Sequence, residues 1–361
     1  MEPPYPLHPS VAARVHPEYA AFYNKYIIDK QQVHLQPVSA SRVGGVIIPG
    51  GGAILPVGKT EDFDIDRAAT KGDTIKVRVF TPEGTAPEAG WSVFLYFHGG
   101  GWVLGNIDTE NTVCSNVCKR AGVVVVSVDY RYVPSFLVLQ KKNKKKSTTF
   151  IDKKMYRLAP ENPFPAAVHD CWEALLWLHL PSTIANLRIN TQSLSIGGSS
   201  AGGNLAAVLT HKVLLECPEK IKFTKQILIV PVTDNTATTE TNWAWKEFEH
   251  TPALPAPKML WYRNHYLPES KEWGNPEASP LLYPNQDGHW AKLPPAVVVV
   301  GGLDVLRGEG EAYAAKLEEN GVGATVHVMQ GMPHPFLAMD GVLQAGRDAI
   351  THMVEGVRST L

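Results

Sequence analysis

The sequence predicts an α/β fold in which parallel strands form a sheet covered by helices on both faces. Short runs rich in Val and Ile recur along the chain, longer stretches with helical spacing separate them, and the two kinds alternate. Alternation of this sort is the pattern of a parallel sheet, whose ligands bind beyond the carboxyl ends of its strands.

In chain order, Val93 to Phe97 and Val123 to Val128 read as strands buried on both faces, and Pro165 to Leu180 reads as a helix. A short apolar run ending near Ile196 precedes a second helical stretch, Ala201 to Glu216. Ile227 to Val232 and Ala296 to Val300 are further strands. Gly308 to Asn320 is a helix with Gly321 just past its end, where a C-cap glycine belongs. The run Thr325 to Met329 and the helical stretch Val342 to Val357 complete the alternation. Two regions depart from it, the first sixty or so residues and a Trp- and Pro-rich stretch from about 234 to 290. Both are expected to be lid elements on a single domain spanning 1–361. Tyr19, Phe22, Tyr23, Tyr26, Trp243, Trp245, Phe248, Met259, Leu260, Trp261, Tyr262 and Tyr266 are each more commonly core residues, though as a group they suit the lining of an apolar pocket.

Composition narrows the function classes. The 361 residues are 44% hydrophobic and 19% charged, enough for one large core and inconsistent with a disordered or fibrous chain. A formal net charge of −1 gives no electrostatic footprint for nucleic acid or an anionic membrane, so a small neutral substrate is the better fit. No apolar run approaches the roughly 18 residues of a membrane span, and Met1 to Pro6 lacks a basic start with an apolar core. The expectation is a soluble, unsecreted, cytoplasmic protein. Cys114, Cys118, Cys171 and Cys217 are sparse for this length and read as buried free thiols; no metal or cofactor is called for.

The chemistry concentrates in three places. Gly198-Ser199-Ser200-Ala201-Gly202 stands between a short apolar run and a helical segment, the strand, sharp turn and helix that present a nucleophilic serine. Such a turn leaves no room for bulk two residues either side of the nucleophile. A glycine-rich turn would show the same spacing, which arises by chance roughly 0.1 times in a chain of this composition. Far rarer is His98-Gly99-Gly100-Gly101-Trp102 directly after the strand Val93 to Phe97, expected roughly 0.0002 times. Consecutive glycines let backbone N–H groups approach a developing oxyanion, and the absence of a following Lys and Ser or Thr argues against a phosphate loop. Gly100, Gly101 and Ala201 are the expected donors.

A serine needs a base, and the base needs a partner that fixes its tautomer. Asp304 follows the strand Ala296 to Val300 after two glycines, and His334 lies in Gly331-Met332-Pro333-His334-Pro335-Phe336 after the run Thr325 to Met329. The order is Ser200, Asp304, His334. His169, His211 and His265 fall in helical or lid segments, where a structural role is commoner.

These motifs, with Val128-Asp129-Tyr130-Arg131, Arg157-Leu158-Ala159-Pro160-Glu161 and Asp304 to Glu309, resemble the hormone-sensitive-lipase-like branch of the α/β-hydrolases, the α/β-hydrolase-3 group, from about Val93 to Phe336. The resemblance implies a mostly parallel eight-stranded sheet, a helical lid, no cofactor, and a carboxylesterase with the triad and oxyanion hole assigned above. Ser199 stands where the group often has Asp, Val305 where it usually has Pro, and Gly308 where an acidic residue is frequent. An amidase or formamidase, or a lyase acting on a natural product, would use the same machinery. A non-catalytic receptor of this fold would be expected to lack a triad residue, whereas all three are present.

One interruption stands out. The group's Val-Asp-Tyr-Arg-Leu-Ala-Pro-Glu motif breaks after Tyr130-Arg131 and resumes at Tyr156-Arg157, and the lysine-rich stretch at about 132–156 lies between. Its flanks join without a gap when it is removed, which reads as a translated intron or a gene-model error; the commoner meaning of such a charge run is a solvated loop. Peptides from Val133 to Met155 in the purified protein would show that the stretch is translated. A chain lacking it is expected to fold at least as well, because a long lysine-rich loop buries little apolar area. A lower Tm of that deletion would contradict this.

Overall fold

The computed structural model describes residues 4–42, 49–130 and 159–361. Its eight strands form one sheet: β1 (Lys59–Ile65), β2 (Ile75–Thr81), β3 (Trp91–Phe97), β4 (Val124–Asp129), β5 (Ile189–Ser199), β6 (Lys225–Ile229), β7 (Ala296–Gly301) and β8 (Ala324–Met329). Their spatial order is β1-β2-β4-β3-β5-β6-β7-β8. Only β2 runs against its neighbours; from β4 to β8 every pair is parallel. This is the mostly parallel α/β sheet expected from the sequence. The central strands β4 and β7 are buried along their whole length, as both-face coverage requires, whereas the edge strands β1 and β8 are largely half-buried or exposed.

The helices Asn111–Ala121 and Gln344–Arg358 pack on one another in one layer, and Ala166–Leu178 packs on Ala201–Glu216 in the other. Gly122 ends the first of these in a left-handed conformation, φ 70°, its N–H donating to the Cys118 carbonyl. Arg307–Glu319 lies against β7 and β8. Cys114, Cys118 and Cys171 are buried and unpaired, as expected, whereas Cys217 is unpaired but only half-buried. No helix among the described residues is long and apolar enough to cross a membrane.

The first strand, β1, begins at Lys59, at the boundary of about 60 read for the initial region, and pairs with β2 as an antiparallel hairpin that the sequence reading did not place. Neither strand offers an apolar run, since Lys59–Ile65 is mainly charged and Ile75–Thr81 alternates. The helix read as Pro165 to Leu180 stops at Leu178, and Pro181 opens a separate short one, Pro181–Leu187. The stretch from 234 to 290 holds the helices Trp243–Glu247 and Ala256–Tyr266 and several single turns. Most of its large side chains, including Trp245, Phe248, Met259 and Tyr266, are core, while Trp243 is exposed. The lysine-rich stretch at 132–156, and Arg131, Arg157 and Leu158 beside it, lie outside the described residues.

Candidate active site

Ser200 occupies the single residue between the end of β5 and the helix Ala201–Glu216, with φ 54° and ψ −116°. A non-glycine residue with positive φ is strained, so its surroundings must hold it. The Ser200 N–H donates to the Ile229 carbonyl of β6 at 2.8 Å, and the Asn204 N–H donates to the Ser200 carbonyl at 3.0 Å. The two flanking glycines are required by crowding. A Cβ at position 198 would stand 2.4 Å from the Gly202 backbone and 2.5 Å from the Phe97 carbonyl oxygen, and one at 202 would stand 2.0 Å from that same oxygen. The turn therefore lies directly on the end of β3.

The His98 to Trp102 loop leaves that end of β3. Gly100 has φ 129°, and a Cβ there would meet the Leu104 carbonyl oxygen at 2.0 Å, because the Leu104 N–H folds back to donate to the Gly100 carbonyl at 2.9 Å. Trp102 also has positive φ, 59°, and stacks on Tyr266 with ring centroids 4.2 Å apart. The Tyr262 ring covers Gly101, which brings the Ala256–Tyr266 helix over the loop. His98 is buried against the parallel ring of Tyr130, 4.2 Å away, and the Tyr130 hydroxyl donates to the His98 carbonyl. Burial pushes the His98 imidazole down to about 4, so the ring is neutral, and its Nδ1–H donates to the Gly99 carbonyl at 2.7 Å. The N–H groups of Gly100, Gly101 and Ala201 donate to no acceptor among the described residues. They remain available to a bound oxygen.

Asp304 and His334 meet. Two backbone bonds hold their loops together beyond the ends of β7 and β8: the Gly302 N–H donates to the Met329 carbonyl at 2.9 Å and the Leu303 N–H to the Met332 carbonyl at 3.0 Å. Gly301 permits this approach, since a Cβ there would stand 2.7 Å from the Met332 carbonyl oxygen. His334 Nδ1–H then donates to Asp304 Oδ2 at 2.9 Å, while Oδ1 accepts from the Leu306 N–H at 3.0 Å. Both side chains are buried, and a carboxylate at Nδ1 leaves Nε2 as the basic nitrogen. No hydrogen bond joins the Ser200 hydroxyl to His334 in this structure. The two are nonetheless at the same end of the sheet, at the carboxyl ends of β5 and β8, and His334 is near enough to Glu110 to oppose the rise that burial imposes on its carboxyl.

His169 and His265 lie in helices, as read from the sequence, and His211 sits in a buried stack with Tyr283, bonded to His289 and Tyr313. Glu110 escaped sequence reasoning, and Glu309 entered it only as the last residue of the Asp304 to Glu309 motif. Glu110 accepts from Tyr96, Gly99 and Ser199, and Glu309 accepts from the Thr233 N–H at 2.9 Å and Trp245 Nε1 at 3.2 Å. Burial, with Asp234 adding to it, pushes Glu309 up to about 8. The only sequence signal for either was an acid close behind a glycine-rich or strand-end motif.

With this geometry established, comparison with known proteins identifies the family. Its sequence profile, described as alpha/beta hydrolase fold, matches residues 94–138 and 153–338. The chain belongs to the hormone-sensitive-lipase-like branch of the α/β-hydrolases. It is 46% identical over 346 residues to an AB hydrolase superfamily protein of Schizosaccharomyces pombe, covering 95% of this chain and 93% of that one. It is 31% identical over 283 residues to an arylesterase of Saccharolobus solfataricus, covering 78% of each. Among solved structures, the metagenomic thermostable carboxylesterase EstE1 superposes with a TM-score of 0.70 at 33% identity, covering 85% of this chain and 90% of that one. As an α/β-hydrolase, the chain carries the family's strand-turn-helix at Ser200 and its glycine loop after β3.

Two outcomes follow from the packing. Gly198→Ala is expected to cost at least about 1–3 kcal/mol, because its clash is with backbone that cannot rotate away. Thermal melting checks this, and an unchanged Tm would contradict the crowding described. His98 is held below its unfolded value, so its contribution to stability is present above about pH 6.5 and is lost as pH falls toward about 4. His98→Gln should flatten that part of the stability profile in urea titrations between pH 7 and pH 4.

Proposed function

We propose that this α/β-hydrolase cleaves small carboxylic esters through an acyl-enzyme on Ser200, with His334 as general base and acid, Asp304 as the group that orients it, and the N–H groups of Gly100, Gly101 and Ala201 as the oxyanion hole. The observation that carries the proposal is the convergence of three unengaged N–H groups and an Asp304-oriented imidazole on the end of the sheet where the strained serine sits. Relatives named ethyl acetate hydrolase, of Pseudomonas putida, and arylesterase support ester substrates.

The chemistry follows from these parts. The Ser200 oxygen attacks the ester carbonyl while His334 Nε2 takes its proton, and the carbonyl oxygen becomes negative within reach of the three N–H donors. Asp304 stabilises the imidazolium through Nδ1–H. Collapse expels the alcohol, which receives the proton from Nε2. Water, deprotonated by the same nitrogen, then attacks the acyl group and releases the acid, restoring Ser200. The missing Ser200–His334 hydrogen bond is one that tightens when substrate occupies the site. The stretch 234–290, laid over the glycine loop through Tyr262 and Tyr266, serves as a cap that shapes the apolar approach. Four cysteines, none paired, suit a reducing compartment such as the cytosol.

A fluorophosphonate probe with peptide mapping tests the assignment. The modified residue is expected to be Ser200, with Ser200→Ala unlabelled and Asp304→Asn slower by about 10⁴-fold in kcat on p-nitrophenyl esters. Label on another serine, or ester turnover surviving in Ser200→Ala, would remove the proposal.

A further inference from the structure

The oxyanion hole proposed above draws its donors from two separate segments, the loop after β3 and the turn after β5. The ladder between those strands ends at the pair Phe97 and Gly198, so no sheet hydrogen bond fixes the distance between the segments where the donors lie. One side chain spans the gap. Glu110, the residue before the helix Asn111–Ala121, is buried there with both carboxyl oxygens engaged. Its Oε2 accepts from the Tyr96 hydroxyl at 2.7 Å and from the Gly99 N–H at 3.2 Å, both on the β3 side. Its Oε1 accepts from the Ser199 hydroxyl at 2.7 Å, on the residue directly before Ser200.

We infer that Glu110 is a positioning residue, a carboxyl clamp that sets the spacing between the glycine-loop donors and the nucleophile turn. The inference rests on Ser200 as nucleophile. The contacts are tight enough to act this way: a Cβ at Gly99 would come 2.7 Å from Ser199 Oγ and 3.3 Å from Glu110 Oε1, so the three groups interlock. Burial raises the Glu110 carboxyl above its ordinary range, against the pull of its three donors, so an apolar side chain would be the easier occupant of this site. Ser199 fits the arrangement because a hydroxyl can donate to the carboxyl; an acid at that position would set two carboxyls against each other.

Substitutions separate positioning from bulk stability. Glu110→Gln retains the length and one accepting oxygen, and its amide can donate to Ser199 Oγ in place of the present bond. Glu110→Ala leaves Gly99, Tyr96 and Ser199 without their acceptor, and Ser199→Ala releases only the turn. Displacement of a reacting group by about 1 Å costs on the order of 10²-fold in rate. Glu110→Ala is therefore expected to lose about 10²-fold in kcat with KM nearly unchanged, and to bind a trifluoromethyl ketone, whose adduct places an oxyanion in the same cradle, weaker by a similar factor. Ser199→Ala should lose roughly 10-fold in both, and Glu110→Gln should recover most of the loss.

The parent is labelled with fluorophosphonate first. If Ser200 is not modified, the hydrolase reading itself fails and the clamp with it. If Ser200 is modified, a Glu110→Ala enzyme with kcat and ketone affinity within about 3-fold of the parent overturns the clamp alone. So does a loss that Glu110→Gln fails to recover although it melts at the parent's Tm. Should Glu110→Ala not fold, Ser199→Ala decides, and parental kcat and ketone affinity there overturn the inference.

Discussion

The chemistry of this molecule depends on one backbone crossing, where the chain leaving β5 turns into a helix directly over the last carbonyls of β3. Nothing larger than hydrogen fits at 198 or 202, and the residue between them takes a conformation that a serine adopts only under constraint. The constraint comes from the sheet. β3 closes the turn from one side, and the Ile229 carbonyl of β6 fixes its N–H from the other. The serine is thus held by the buried ends of three strands.

Around that crossing the fold manages buried polar groups with neutral donors. Asp304, Glu110 and Glu309 each receive backbone N–H bonds, and two of them also receive a hydroxyl or an indole N–H. Hydrogen bonding of this kind offsets the desolvation of a carboxyl, and at Glu309 the charge of the buried Arg263 guanidinium adds to it. The two histidines of the site's motifs illustrate the contrast. His98 is sealed under Tyr130, neutral, and serves the shape of the glycine loop, whereas His334 has a carboxylate at one nitrogen and leaves the other available.

Much of this was legible in the sequence because it depends on local rules. Buried parallel strands must be apolar on both faces, a turn this tight must flank its apex with small residues, and a base must follow its acid in loops at strand ends; β4, Gly198, Gly202, Asp304 and His334 all obey. The β1–β2 hairpin was not legible, since an exposed edge strand such as Lys59–Ile65 has no reason to look apolar. Glu110 was hidden for a different reason. Its partners Tyr96, Gly99 and Ser199 are distant or unremarkable in sequence and meet only through the pairing of β3 with β5.

Because the strands from β4 to β8 all point the same way, each delivers its following loop to one rim, and the chain between consecutive strands is free to differ in length. The connection from β6 to β7 uses that freedom, laying Tyr262 on Gly101 and Tyr266 on Trp102 while contributing no strand. On the proposed function, reaction and selectivity are carried by different stretches of polypeptide. A lineage can rewrite what the rim admits, residue by residue, and leave the apparatus beneath it untouched.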